Sequence, residues 1–65
     1  MYQQSWYMVQ VKLEDRDEWL DFGARIPITG SVNDVRQAWA VRSEQSDRNP
    51  HNDYRIIIRT EQQLA

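Results

Sequence analysis

The sequence predicts an α+β domain in which a three-stranded antiparallel sheet carries one helix on one of its faces. Three segments alternate apolar and polar residues at period two, which is typical of half-buried strands, and a fourth carries an apolar stripe at helical spacing. Their order along the chain is strand, strand, helix, strand. A length of 65 residues, of which 40% are apolar and 28% charged, indicates a single globular domain over residues 1–65.

The first strand is predicted at about residues 5–13. One of its faces carries Tyr7, Val9, Val11 and Leu13, and the other carries Trp6, Met8, Gln10 and Lys12. Residues 14–18 are all charged, which is typical of a solvated hairpin loop.

The second strand is predicted at about residues 19–29. Leu20, Phe22, Ala24, Ile26 and Ile28 share one face, and Trp19, Asp21, Gly23, Arg25 and Pro27 share the other. Pro27 cannot donate a ladder hydrogen bond, so it favours an edge position for this strand. Gly23 is a candidate bulge, which would shift the register beyond it.

The helix is predicted at about residues 32–43. Ser31 is a good N-cap, with Asp34 three residues further on. The apolar stripe consists of Val32, Val35, Ala38 and Trp39. Residues 46–52 are rich in turn formers and are expected to be a loop.

The third strand is predicted at about residues 54–60, where three consecutive isoleucines give the strongest strand signal. Tyr54, Ile56 and Ile58 lie on one face, and Arg55, Ile57 and Arg59 on the other. Residues 61–65 are expected to be a frayed tail. The favoured sheet order is second, first, third, with every pair antiparallel; the alternative places the third strand parallel to the second.

One helix covers only one face of such a sheet, so the apolar faces of the strands should meet the apolar stripe of the helix. The predicted core is Tyr7, Val9, Val11, Leu13, Leu20, Phe22, Ala24, Ile26, Ile28, Tyr54, Ile56 and Ile58 against Val32, Val35, Ala38 and Trp39.

The opposite face of the sheet is the predicted partner-binding site. Exposed apolar surface rimmed by charge marks interaction sites, and tryptophan and arginine dominate interface hot spots. The predicted site residues are Trp6, Met8, Lys12, Trp19, Arg25, Arg55, Ile57 and Arg59. The structural alternative makes Trp6 and Trp19 a stacked cross-strand pair with Arg55 and Arg59 over their rings. Homodimerisation through the same face is a further alternative.

The residue inventory argues against catalysis and bound metals. The chain has no cysteine and one histidine, His51, in a polar loop. The acidic cluster at residues 14–18 lacks the spacing and the glycine of a calcium loop. The two glycines form no phosphate-binding motif. We therefore expect a non-enzymatic protein without cofactors, and, with no apolar run of about 20 residues and no signal-like N-terminus, a cytoplasmic one.

Binding of single-stranded nucleic acid is the main alternative function. Aromatic and arginine side chains on an open sheet face resemble the platforms on which bases stack. Four cations (Lys12, Arg25, Arg55 and Arg59) against the carboxylates Asp21 and Glu61 make this face net positive, but the whole chain carries −2. The overall sign is wrong for binding driven by backbone phosphates, which favours a protein partner.

The order of elements resembles that of small phage early proteins that inhibit a host enzyme, in particular the T7-type inhibitors of bacterial RNA polymerase. The matching parts are Trp6–Val9, Phe22–Ile28, Ser31–Val41 and Tyr54–Arg59. The resemblance lies in topology, since no residue motif aligns, and the two arginines of the last strand are four residues apart here but close neighbours in that group. It implies binding to a larger host protein, with Arg55 and Arg59 on acidic groups and the acidic loop on basic ones.

Overall fold

The computed structural model describes residues 2–63, and within them the chain forms three strands and one helix. The elements are β1 at Tyr2–Lys12, β2 at Leu20–Pro27, α1 at Val32–Arg48 and β3 at Asp53–Gln63. The sheet order is β2-β1-β3, and both pairs are antiparallel. This confirms the predicted fold class and the predicted strand order, with β2 at an edge.

A bulge in β2 produces the one irregularity in the pairing of β1 with β2. Tyr7 lies opposite Ile26 and Val9 opposite Phe22, so the stretch of β2 between these pairs is two residues longer than that of β1. Gly23, with φ of +75°, supplies the left-handed backbone there. Because two is an even number, side-chain alternation is preserved on both sides of the bulge. Ala24 falls inside it and is exposed, so its predicted place in the core was wrong.

Three elements are longer than predicted and one is shorter. β1 begins at Tyr2 and not at residue 5, whereas β2 covers only Leu20–Pro27 of the predicted residues 19–29. The helix continues to Arg48, and an ion pair of 2.8 Å joins Glu44 to Arg48 across its last turn. It ends there because Pro50 disfavours helical backbone at the residue before it, Asn49. β3 includes residues 61–63, because they pair with the start of β1. The predicted tail was therefore wrong for these residues, and residues 64 and 65 lie outside the described part of the chain.

The N-terminus of the helix is capped as predicted. The Ser31 hydroxyl oxygen accepts a hydrogen bond of 3.1 Å from the amide of Asn33. The carboxylate of Asp34 accepts hydrogen bonds from the Thr29 amide (2.7 Å) and hydroxyl (2.9 Å), which joins the first helical turn to the end of the preceding segment. These donors, chiefly the Thr29 amide, lower the pKa of Asp34.

The core lies between β1 and the middle of the helix. Val9, Val11 and Ile26 are buried, and Ala38 is fully covered at 0% exposure. Six further predicted core residues of the strands are half-buried: Tyr7, Leu13, Phe22, Ile28, Tyr54 and Ile56. Full burial of a valine or isoleucine side chain contributes roughly 1.5–3 kcal/mol, so this small cluster supplies much of the stability.

Several residues predicted in the core are exposed instead: Leu20 (38%), Val32 (67%), Val35 (36%), Trp39 (52%) and Ile58 (62%). The helix is rotated so that Ala38, alone of the four residues of the predicted stripe, is buried against the sheet. The side chains that flank Ala38 on the sheet side are only partly exposed: Asp34, Val41, Arg42 and Gln45. A methyl side chain at the point of closest contact lets the helix backbone approach the sheet, and the larger apolar side chains are left on one flank.

Candidate interaction face

The face of the sheet opposite the helix, called here the open face, brings the predicted site residues together. The strand registers place Trp6, Met8, Lys12, Arg55, Ile57 and Arg59 on it, with Gln10 and Asp21. Trp19 precedes β2 and Arg25 belongs to the bulge, and both reach the same face through contacts with its side chains. The predicted grouping is therefore reproduced in space.

Trp6 and Arg25 form one end of the open face. Trp6 lies opposite Pro27 on β2 and Arg59 on β3. The guanidinium carbon of Arg25 is 4.6 Å from the centre of the Trp6 ring, a cation–π geometry. The indole Nε1–H of Trp6 is buried and finds no acceptor within residues 2–63. Most buried donors are paired, so this nitrogen is an unsatisfied polar group within the candidate site.

Trp19 forms the other end of the open face, beneath two cations. The guanidinium carbon of Arg55 is 4.2 Å from its ring centre, and the ammonium of Lys12 is 5.5 Å away. Lys12 also lies 4.0 Å from a carboxylate oxygen of Asp17 and of Asp53. This end of the face therefore adjoins the acidic loop, whose carboxylates Glu14, Asp15, Asp17 and Glu18 are all exposed.

A chain of polar side chains crosses all three strands between the two tryptophans. Arg55 donates from Nε to Oε1 of Gln10 (2.8 Å), and Gln10 donates from Nε2 to Oδ1 of Asp21 (2.9 Å). Arg59 completes the chain through its Nη1, 2.7 Å from Oδ2 of Asp21. Gln10 uses both ends of its amide and is only 5% exposed, so this chain fixes the arginines in place.

Asp21 is the acceptor on which this chain depends. The hydrogen bond from Gln10 is the largest influence on its pKa and lowers it; partial desolvation opposes this, and the charge and hydrogen bond of Arg59 lower it further. The net effect is a pKa below the ordinary value of 3.8. The carboxylate is therefore charged at neutral pH and holds Arg59 over the sheet.

The open face is more tightly covered than the sequence indicates. Met8 is 9% exposed, so it already lies beneath its neighbours, and Ile57, opposite it, is half-buried. Gln10 and Asp21 were not among the predicted site residues. A polar pair at opposed positions on neighbouring strands is the signal that could have found them, but their pairing depends on the exact register beside the bulge.

Trp6 and Trp19 do not form the cross-strand pair of the structural alternative. Trp6 lies level with Pro27, whereas Trp19 precedes Leu20, the partner of Val11. The two indoles are thus near opposite ends of the paired region, on the order of 20 Å apart at the usual rise per residue of a strand. Of the two arginines that this alternative places over the indoles, Arg55 lies over Trp19, whereas Arg25 and not Arg59 lies over Trp6.

The rest of the described surface offers little else for chemistry. Within residues 2–63 there is no pocket, and no three side chains of His, Asp or Glu come together as a metal site requires. In the same residues no helix is long and apolar enough to cross a membrane. The chain matches no protein-family model, no curated protein and no solved structure.

Proposed function

We propose that this chain is a small non-enzymatic protein-binding module that occupies a larger protein stoichiometrically, as an inhibitor or regulator, through its open face. The observation that carries the proposal is the fixed arrangement of its arginines. Arg25 lies over Trp6, Arg55 is held by Gln10 and Trp19, and Arg59 is held by Asp21. Guanidinium groups that are already positioned lose less conformational entropy when a partner binds them.

The charge of the open face defines the chemistry of its partner. Its four cations outnumber its three carboxylates, Asp21, Asp53 and Glu61, although the whole chain carries −2. Arg25, Arg55 and Arg59 would form charge-assisted hydrogen bonds with carboxylates of the partner. The exposed acidic loop beyond Trp19 would contact basic groups at one side. The partner should therefore present an acidic patch flanked on one side by basic residues.

The tryptophans have a different role in this proposal from that of simple anchors. Trp6 and Trp19 are half-buried platforms that hold the cations, and the edges of their indoles contribute apolar contact beside them. Met8 and Ile57 support the layer from below. The buried Nε1–H of Trp6 has no acceptor within residues 2–63, so it is a donor that a carbonyl or carboxylate of the partner could accept from once the side chains around it move.

A bacterial RNA polymerase is the first target to test. The order of strands and helix, which resembles that of phage inhibitors of this enzyme, is the reason for choosing it, together with the arginines on the last strand. Transcription regulation within a host cell would follow from such a target. The resemblance is one of topology, so it orders the experiments and carries no residue contacts.

Binding of single-stranded nucleic acid is the weaker alternative. A base stacks on an uncovered aromatic ring, whereas a guanidinium lies over each indole of the open face. A stacking base would therefore have to displace Arg25 or Arg55 from its ring. The net negative charge of the chain works against the same alternative.

Charge reversal at exposed cations tests the proposed function. The wild-type chain is immobilised and titrated with purified bacterial RNA polymerase, and in parallel used to capture partners from a bacterial lysate. Arg25→Glu should weaken binding by roughly tenfold or more, because it replaces a positioned cation of the open face with a carboxylate. Arg36→Glu, an equal change of charge at an exposed helix position, is the matched control and should bind like the wild type.

The outcomes of this experiment separate the alternatives. If Arg25→Glu and Arg36→Glu bind a captured partner equally well, the open face is not the interface. A gel shift with a single-stranded oligonucleotide that Arg25→Glu abolishes, and that decreases steeply between about 50 and 200 mM salt, would favour the nucleic-acid alternative. Circular dichroism of both variants checks that the fold is retained.

A further inference from the structure

The outer edge of β3 is an unusually regular strand edge. The sheet order leaves β3 paired on one side only within residues 2–63. Its eleven residues pair with β1 without any register shift, and they include no glycine and no proline. The opposite edge, β2, carries the Gly23 bulge and Pro27, both of which discourage further strand pairing. The two edges therefore differ in their capacity to accept another strand.

The backbone groups of alternate β3 residues point outward from this edge. The amide of Ile28 donates to the carbonyl of Ser5, so the backbone polar groups of Ser5 are directed towards β2. Its opposite residue on β3, Thr60, therefore directs its own N–H and C=O away from β1, and so do Ile58 and Ile56 at the same parity. Arg42 Nε lies 3.3 Å from the carbonyl of Tyr54, which agrees with this parity.

The sequence of β3 is complementary to itself in one antiparallel register. Ile58 is the sixth of its eleven residues, so a two-fold axis through Ile58 pairs the strand over its full length. In that register Arg55 lies opposite Glu61 of the second copy at a position where side chains approach closely. Among the described residues, Arg55 has no carboxylate partner and Glu61 has no cationic one.

Neighbouring registers are less favourable. An axis through Ile57 places Arg55 opposite Arg59 and Asp53 opposite Glu61, which sets like charges against each other. An axis through Ile56 places Asp53 opposite Arg59, but both already have ion-pair partners within the chain, and this register pairs residues 53–59 only and leaves Glu61 outside the pairing. Charge and overlap together therefore select the axis through Ile58.

Four exposed apolar side chains of the helix side lie next to the same edge. The guanidinium of Arg42 lies 5.0 Å from the centre of the Trp39 ring, and its Nε lies 3.3 Å from the carbonyl of Tyr54 on β3. The side of the helix that carries Trp39 is therefore the side nearest β3. Val35 and Val32 lie on that flank at helical spacing, and Ile58 is 62% exposed on the strand itself. A second sheet joined at β3 would bring its own helix flank beside this one and cover apolar surface that the single chain leaves exposed.

We infer that two copies of this chain pair edge to edge through β3, about a two-fold axis at Ile58, to form one continuous six-stranded sheet with both helices on the same side. The inference does not rest on the proposed function, because the open face remains uncovered in the pair. Such a pair would present two open faces side by side. It would also add stability that a domain of this size gains readily from self-association.

A charge-exchange experiment tests the pairing and its register together. Sedimentation velocity over a range from roughly 1 µM to 1 mM should show a wild-type monomer–dimer equilibrium. Arg55→Glu places carboxylates opposite each other at both ends of the pairing, and Glu61→Arg places cations there, so each variant alone should dimerise at least about tenfold more weakly. An equimolar mixture of the two variants restores opposite charges at both ends and should recover dimerisation.

The controls use exposed positions. Glu14→Arg changes the charge of the chain by the same amount as Glu61→Arg but lies in the acidic loop, so its dimerisation should match that of the wild type. Because Arg55 also belongs to the open-face network, Ile58→Lys is a second variant that tests the axis without touching that network. A wild type that remains monomeric up to about 1 mM, or a mixture that fails to recover dimerisation, would overturn the inference.

Hydrogen exchange distinguishes this dimer from one formed through the open face. The amides of Ile56, Ile58 and Thr60 point outward in the monomer and should exchange quickly at low concentration. At concentrations where the dimer predominates, their exchange should slow by roughly tenfold or more, because each then donates to the second copy. Dimerisation without this protection would place the interface elsewhere, and assemblies larger than a dimer would contradict the two-fold pairing.

Discussion

The two faces of β1 are buried to nearly the same extent by different means. On the helix side Val9 and Val11 are 2% and 8% exposed beneath an α-helix whose one buried residue is Ala38. On the open face Met8 and Gln10 are 9% and 5% exposed beneath side chains of the sheet itself, chiefly arginine and tryptophan. Long cationic side chains laid over aromatic rings can therefore exclude water from a sheet face that no second helix covers.

The helix side should be the more sensitive of the two to a change in volume. Ala38→Leu adds three carbon atoms where the helix contacts the sheet, at a position with 0% exposure, and should reduce the free energy of unfolding by about 2–3 kcal/mol. Urea unfolding followed by circular dichroism measures this change.

Ala40→Leu is the matched control for that substitution. Ala40 is exposed on the same helix, so the same enlargement there should change the free energy of unfolding by less than about 0.5 kcal/mol. Equal effects of the two substitutions would mean that Ala38 is not the contact point and that the helix is rotated differently.

The open face should respond to the loss of polar linkage at constant volume. Gln10→Met keeps the length and approximate shape of the side chain but removes both hydrogen bonds that join Arg55 to Asp21. Because the two charged groups remain partly accessible to water, the expected loss of unfolding free energy is about 1–2 kcal/mol, measured by urea unfolding. Gln37→Met on the exposed side of the helix is the control and should have little effect.

A second readout shows whether the linkage itself has been lost. Nuclear magnetic resonance of the Asp21 carboxyl should give a higher pKa in Gln10→Met than in the wild type, because the hydrogen bond that most strongly lowers this pKa has been removed. An unchanged Asp21 pKa combined with a large loss of stability would indicate a packing role for Gln10 rather than a polar one.

Strand faces and strand order could be predicted because they follow from local geometry. Side-chain alternation assigns Val9 and Gln10 to opposite faces whatever surrounds them. Pro27 excludes β2 from the centre of the sheet because it has no amide to donate, and Gly23 marks the bulge because it permits the positive φ found there. The grouping of the site residues on the open face depends on these same local rules, which explains why it was reproduced.

The rotation of the helix and the links of the open face could not be predicted in the same way. The apolar stripe through Trp39 has helical spacing, but only its smallest member, Ala38, is buried against the sheet. Its small side chain allows the helix to approach the sheet. The hydrogen bond from Gln10 to Asp21 requires a register that depends on the size of the bulge, and the sequence indicates only its position. Both errors arise where the result depends on contacts between elements.

Lowering the pH should have the smallest of the expected effects on stability. It acts through two carboxylates, Asp21 on the open face and Asp34 on the helix, which can be substituted separately. The folded pKa of Asp21 lies below 3.8, so the stability contributed by its charged form is fully present above that value and is lost as pH falls through the folded pKa. The pKa of Asp34, on the helix, is lowered in the same direction by the hydrogen bonds from Thr29, so its contribution falls in the same pH window.

The urea midpoint of the wild type should therefore decrease from roughly pH 5 to pH 2, and both Asp21→Asn and Asp34→Asn should show a shallower decrease. Only Asp21→Asn should also release Arg59, which is measurable as faster motion of its guanidinium at neutral pH. If the midpoint of Asp21→Asn decreases as steeply as that of the wild type, the carboxylate does not hold the open face together, and the similar burial of the two faces must have another cause.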